Sequence, residues 1–192
     1  MSQITAIAKN VKKPQRLLPL PLSLGLLLLA ACPKAPPPAP TVAWIQPGRP
    51  GVVVERAGQT SPVGRAQRLE EGSEIRTPAG VRASLFLDSG AWVLLDQEST
   101  VAVSEKGMSV RRGRVWMDAR GSDEVAVSAG PKVGLTAQSA GLSVSLKGDE
   151  AQIYCAAGQV TWKVGSQGGR MESGLSLIYK GGEAKERSEE RR

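Results

Sequence analysis

From residue 51 to residue 180, apolar side chains recur at every second position. Val81, Ala83, Leu85 and Leu87 alternate with Arg82, Ser84, Phe86 and Asp88. The same period returns in Val115 and Met117, Val125 and Val127, Val133 and Leu135, Leu142, Val144 and Leu146, and Val160, Trp162 and Val164. Period two is the pattern of strands that bury one face, and no helix-length stretch with i, i+3, i+4 spacing competes with it. Turn chemistry falls between the apolar runs: Asp88-Ser89-Gly90, Glu105-Lys106-Gly107, Arg112-Gly113, Ala129-Gly130-Pro131, Lys147-Gly148-Asp149 and Ala157-Gly158. The pattern predicts an all-β domain of about ten to twelve short strands, with sandwich, roll and solenoid-like stack all compatible with it.

Before residue 51 the pattern differs. Lys9, Lys12, Lys13 and Arg16 lead into an apolar run from Leu17 to Ala31. That run falls short of the roughly 20 residues a membrane-crossing helix needs, and Pro19 and Pro21 weaken it as a helix. A basic flank, a short apolar stretch and small residues before a cut site predict an export signal. Its end, Leu29-Ala30-Ala31-Cys32, resembles a bacterial lipoprotein lipobox. That resemblance implies cleavage before Cys32 and lipidation of its thiol. The implied location is the bacterial cell envelope, with the lipid bilayer as partner. Pro33 rather than aspartate after the cysteine implies the outer membrane, by resemblance to proteobacterial lipoproteins. Pro33, Pro36, Pro37, Pro38 and Pro40 follow, then Pro47 and Pro50, so residues 32–50 are expected to form an extended spacer. Residues 181–192, charged and nearly free of apolar side chains, are expected to form a disordered tail. The predicted organisation is therefore signal 1–31, linker 32–50, β domain 51–180 and tail 181–192.

Removing the signal changes the charge. The 25 basic and 18 acidic residues give +7, but four of the basic and none of the acidic residues lie before Cys32, which leaves a mature chain near +3. So small an excess does not suggest nucleic acid as a partner, because neutralising several phosphates takes clustered basic groups. Lipidation of Cys32 would leave Cys155 without an intrachain partner, and its phase with Ile153 predicts a buried thiol.

Catalytic chemistry is hard to find. The chain has no histidine, the usual general base at neutral pH and the commonest metal ligand. Asp118, Asp123 and Glu124 lack the alternating spacing of a calcium loop, and Ser104 with Lys106 reads as part of a polar turn. No catalytic residue, metal site or cofactor is expected. Two sets of residues remain as candidate binding groups. Arg111, Arg112 and Arg114 form the densest basic cluster, suited to acidic head groups or simply to solubility. Trp92 and Trp116 share the outward phase of their strands, where they would either anchor a ligand or cover a second packed face.

Several short motifs within the β region point one way. Gly51-Val52-Val53 opens it; Leu69-Glu70-Glu71-Gly72-Ser73-Glu74-Ile75-Arg76-Thr77 follows; Ala83-Ser84-Leu85-Phe86-Leu87 runs into Asp88-Ser89-Gly90. The segments Val110 to Trp116 and Tyr154 to Trp162 look alike, each placing glycine before a valine and a tryptophan. The whole, from Gly51 to Lys180, resembles the periplasmic domain of FecR-type regulators. The resemblance implies a binding or accessory sensing module. It departs from the family at Gly134-Leu135-Thr136 and in the short stretch before the apolar run, so direct control of a sigma factor is not expected. An envelope protein or peptidoglycan is the expected partner, and the alternative role is that of a structural envelope protein contacting peptidoglycan or an outer-membrane complex.

Overall fold

The computed structural model describes residues 39–188; 67% of these lie in strands and none in helices. In chain order they are β1 (Thr41–Pro47), β2 (Val53–Arg56), β3 (Gln59–Pro62), β4 (Gln67–Glu70), β5 (Glu74–Arg76), β6 (Ala83–Leu87), β7 (Trp92–Leu95) and β8 (Thr100–Ser104). Then come β9 (Gly107–Asp118), β10 (Val125–Ala129), β11 (Val133–Lys147), β12 (Glu150–Val164), β13 (Gln167–Glu172), β14 (Leu175–Lys180) and β15 (Glu183–Ser188).

Hydrogen bonding joins all fifteen strands into one sheet that does not close into a barrel. Three long strands give it two layers. The second half of β9, residues 113–118, pairs with β7 and β11, whereas its first half pairs with β8 and, in parallel, with β10. Likewise β12 pairs with β14 through residues 151–154 and with β13 through residues 159–164. One layer therefore runs β4-β1-β6-β7-β9-β11-β12-β14-β15 and the other β3-β2-β5-β8-β9-β10-β11-β12-β13. The inward faces of both layers contribute to one contiguous buried cluster.

Alternation explains the layers locally. Along β6 buried Ala83, Leu85 and Leu87 alternate with half-buried Ser84 and exposed Phe86, and β10 repeats the alternation with Val125, Val127 and Ala129 buried. Ile45, Leu69, Ile75, Leu85, Leu95, Leu142, Ile153, Met171 and Leu177 are the largest fully buried side chains. Each contributes about 1.5–3 kcal/mol by leaving water. The core is thus mainly aliphatic, with Trp162 and Tyr179 its aromatic members. Thr77, the threonine of the Leu69–Thr77 motif, is buried at a crossing: its hydroxyl donates to Asp96 O at 2.6 Å and accepts from Ser99 N–H at 3.0 Å.

The all-β expectation holds, but four details differ. Among the described residues there are fifteen strands rather than ten to twelve, because β3, β13 and β15 are polar strands whose sequences carry no apolar alternation. Arg112-Gly113 and Ala157-Gly158 are not hairpin turns; both lie inside continuous strands, β9 and β12. The domain begins before residue 51, since β1 occupies part of the expected linker: Val42, Ala43 and Ile45 face inward and pair with β4 and β6. It also extends past residue 180, where β15 pairs with β14 despite its charge, as suits the last strand of a layer. Cys32, with Leu29, Ala30 and Ala31, lies outside the described residues.

Candidate ligand-binding face

The chain has four tryptophans, two tyrosines and one phenylalanine. Three of those tryptophans and the phenylalanine stand exposed on the outer face of a single layer: Trp44 (46%), Phe86 (43%), Trp92 (38%) and Trp116 (42%). Strand register makes them neighbours. Trp44 on β1 lies opposite Phe86 on β6, and Phe86 lies opposite Trp92 on β7. The three form a row perpendicular to the strands. Trp116 on β9 lies opposite Leu94, two residues along β7 from Trp92 and on the same outward face. Half-buried Tyr154 continues this second row through Ser143. By contrast Trp162 and Tyr179 are buried, and the Trp162 indole N–H donates to Glu186 Oε1 at 2.6 Å.

Exposure here follows from the strand period. The inward positions of β1, β6, β7 and β9 belong to Ala43, Ile45, Leu85, Val93, Val115 and Met117, so residues one step away must face out. A bulge between Thr41 and Ala43 sets the phase that turns Trp44 outward.

Charged pairs border the rings. The Arg68 guanidinium donates to both carboxylate oxygens of Asp88, at 2.7 and 2.5 Å, and to Thr41 Oγ1 at 2.9 Å, while lying 5.5 Å from the centre of the Trp44 ring. Arg82 Nε donates to Asp96 Oδ1 at 2.9 Å. Arg120 grips Asp118, the residue opposite Trp92, through Nε at 2.9 Å and Nη2 at 2.7 Å. These arginine hydrogen bonds are the main reason all three carboxyls sit below the usual range, with Asp118 lowered to about 2. Between the pairs the face carries uncharged Gln46, Ser84, Ser143 and Ser145.

Among the residues singled out from sequence, Trp92, Trp116 and Arg114 come together on this face. Arg111 and Arg112 do not join them. Arg111 sits at the bulge between β8 and β9, in the other layer, with Nη1 2.5 Å from Glu74 Oε2, and Arg112 lies opposite Thr100. Glu74 also accepts from Arg76, so the basic run is divided and partly neutralised. Asp118, considered as a calcium ligand, is taken up by Arg120. Two aromatic residues escaped the sequence reading. Trp44 fell within the assumed linker, and Phe86 sat visibly in the outward phase of β6, a signal that was available.

The molecule is thus an all-β, two-layered domain with an aromatic outer face. No protein-family model matches the chain, and no curated protein matches it. Its fold is shared with two crystal structures, at 1.65 and 2.50 Å resolution, of a candidate anti-sigma factor from Parabacteroides distasonis ATCC 8503, with TM-scores of 0.54 and 0.53 at 14% identity. The alignment covers 60% of this chain and 59% of that protein, so the chain spans about three fifths of its length. At this identity the likeness is one of fold alone.

Proposed function

We propose that this protein is a non-catalytic binding module of the bacterial envelope, held to the membrane through lipidated Cys32 and acting as an accessory sensor by docking a ligand on the aromatic face. The observation that carries the reading is the gathering of Trp44, Phe86, Trp92 and Trp116 on one exposed face while the core, Trp162 and Tyr179 apart, is built mainly from aliphatic side chains. Large aromatic side chains left in water forgo the stabilisation that burial would give, so a surface that collects them is a candidate contact surface. The shared fold with a candidate anti-sigma factor supports a sensing role, and the lipobox-like Leu29-Ala30-Ala31-Cys32 supports the anchor.

Two measurements test this. Mass spectrometry of the mature N-terminus should find a lipidated Cys32; an intact Met1 or an unmodified cysteine would refute the anchor. Cross-linking in the native host should capture an envelope component that is lost in a Trp44→Ala, Trp92→Ala double variant. Capture unchanged by the double variant would refute the aromatic face as the docking surface.

A further inference from the structure

Resting on the reading that this face is the binding surface, we propose that its occupant is a neutral, extended β-linked glycan chain. The chain lies across the strands, with successive pyranose rings against Trp44, Phe86 and Trp92 and the next toward Trp116.

Spacing is the first argument. Neighbouring strands lie about 4.8 Å apart, so the row of three rings advances by that step from β1 to β6 to β7. This step is close to the length of one sugar ring in an extended chain. The carbon-bound hydrogens on the faces of such rings form apolar surfaces that pack against aromatic side chains, as each ring has one apolar body and polar edges.

Charge is the second. Asp88, Asp96 and Asp118 are each held by an arginine, and apart from Arg114, which lies opposite Ser145, the surface between those pairs is uncharged. A strongly charged ligand would have to compete with these bonds, whereas a neutral one leaves them intact. Gln46, Ser84, Ser143 and Ser145 lie among the rings and offer amide and hydroxyl groups suited to sugar hydroxyls. Against acyl chains or an apolar protein surface those groups would be desolvated without partners.

Area is the third. With side chains of roughly 150–250 Å² each, the four rings at about 40% exposure offer on the order of 300–400 Å². A stable pairing of two protein chains buries about 800 Å² on each partner. The patch is too small to carry a second copy of this chain by itself, and it suits three or four sugar rings.

The test is a titration of the full chain with the β-1,4-linked tetramer of N-acetylglucosamine and, separately, with cellotetraose, followed by tryptophan fluorescence and calorimetry. At least one tetramer should saturate the protein below about 1 mM, and the monosaccharide should bind at least about tenfold more weakly. Trp44→Ala and Trp92→Ala, each checked for folding by circular dichroism, should each weaken the tetramer about tenfold, the scale of a central anchor residue. Arg111→Ala, in the other layer, should leave binding unchanged. Absence of binding up to about 10 mM, or binding indifferent to both tryptophans, overturns the glycan. If the tryptophan variants lose the cross-linked envelope component while neither sugar binds, the glycan inference falls and the binding-face reading stands. Loss of neither overturns both. Dimerisation abolished by Trp44→Ala would overturn the glycan in favour of a second copy.

Discussion

Gly113 and Gly158 bend the two long strands β9 and β12 in the same manner. Their φ values are +88° and +70°, and in each case the place of a Cβ is filled by neighbouring backbone: Ser99 Cα, just before β8, at 2.5 Å from the one, and Ser139 O, in β11, at 2.3 Å from the other. At these bends β9 exchanges β8 for β7, and β12 exchanges β14 for β13. The two glycines are therefore two of the corners at which one sheet becomes two layers, β11 turning its own at Ser139, where φ is +49°. This is the physical content of the likeness between Val110–Trp116 and Tyr154–Trp162.

Alanine at either corner should be severely destabilising. The left-handed conformation costs an L-residue about 1–2 kcal/mol, and backbone displacement adds to it, for a total of about 3–5 kcal/mol. Gly148→Ala is the control, because Gly148 also has positive φ, at +59°, but its Cβ position is open; it should lose only about 1 kcal/mol. Urea unfolding of the three variants measures the difference. Equal losses at all three sites would mean that the close approach at the corners is unimportant.

Acid should weaken the charged border of the aromatic face. Asp118 titrates at about 2, against an ordinary value of 3.8, and Asp88 and Asp96 are lowered in the same direction by their arginines. Folded values below unfolded ones mean that the contribution is complete above about pH 4 and is lost as pH falls toward the folded values. The melting temperature should be flat near neutrality and decline below about pH 4, with a shallower decline in Asp118→Asn. These pairs are exposed, so the effect should be small and should shrink in high salt. Carbon NMR of the Asp118 carboxyl reads its midpoint directly; a value near 4 would contradict the hydrogen bonding seen here.

Cys155 should be chemically silent in the folded protein. Its thiol is buried, burial raises its pKa, and its Sγ lies 3.5 Å from Ala157 O and 3.6 Å from Gly158 O. Alkylation by iodoacetamide at mildly alkaline pH should be slower than in urea by about a thousandfold or more, since it requires opening of β12. Comparable rates in the two states would show that the thiol is accessible.

How far the sequence could be read follows from what each residue does. Val125, Val127 and their like announce themselves because one-face burial imposes period two. β3, β13 and β15 hide because a strand at or near a sheet edge can be held by backbone hydrogen bonds with little apolar content. Gly113 and Gly158 mislead because a hairpin turn and a strand bend both call for positive φ, and the distinction lies in which other strands pair on either side of the glycine. The aromatic face was half legible. Trp92 and Trp116 stand in an outward phase that local alternation reveals, but the row they complete depends on β1 lying between β4 and β6, a long-range pairing that prolines on either side of Trp44 obscure.

The Arg68 fork yields the last prediction. Among the described residues β4 ends its layer and pairs with β1 alone, so its hold on the sheet is one-sided. Arg68 extends from β4 over β1 to reach Asp88 at the end of β6, bonding Thr41 O at 3.2 Å on the way. The side chain thus fastens an edge strand to the next strand but one, while its guanidinium lies against Trp44. Arg68→Ala should lower the melting temperature by no more than a few degrees, because the pair is exposed. Its local effect should be larger: amide hydrogen exchange across β4 should accelerate severalfold, with that of β11 and β12 unchanged. Arg68→Lys should restore little of the protection, since an ammonium cannot reproduce the two-pronged bond to Asp88. Unaltered exchange in β4 would show that the edge strand is held by its backbone pairing to β1 alone.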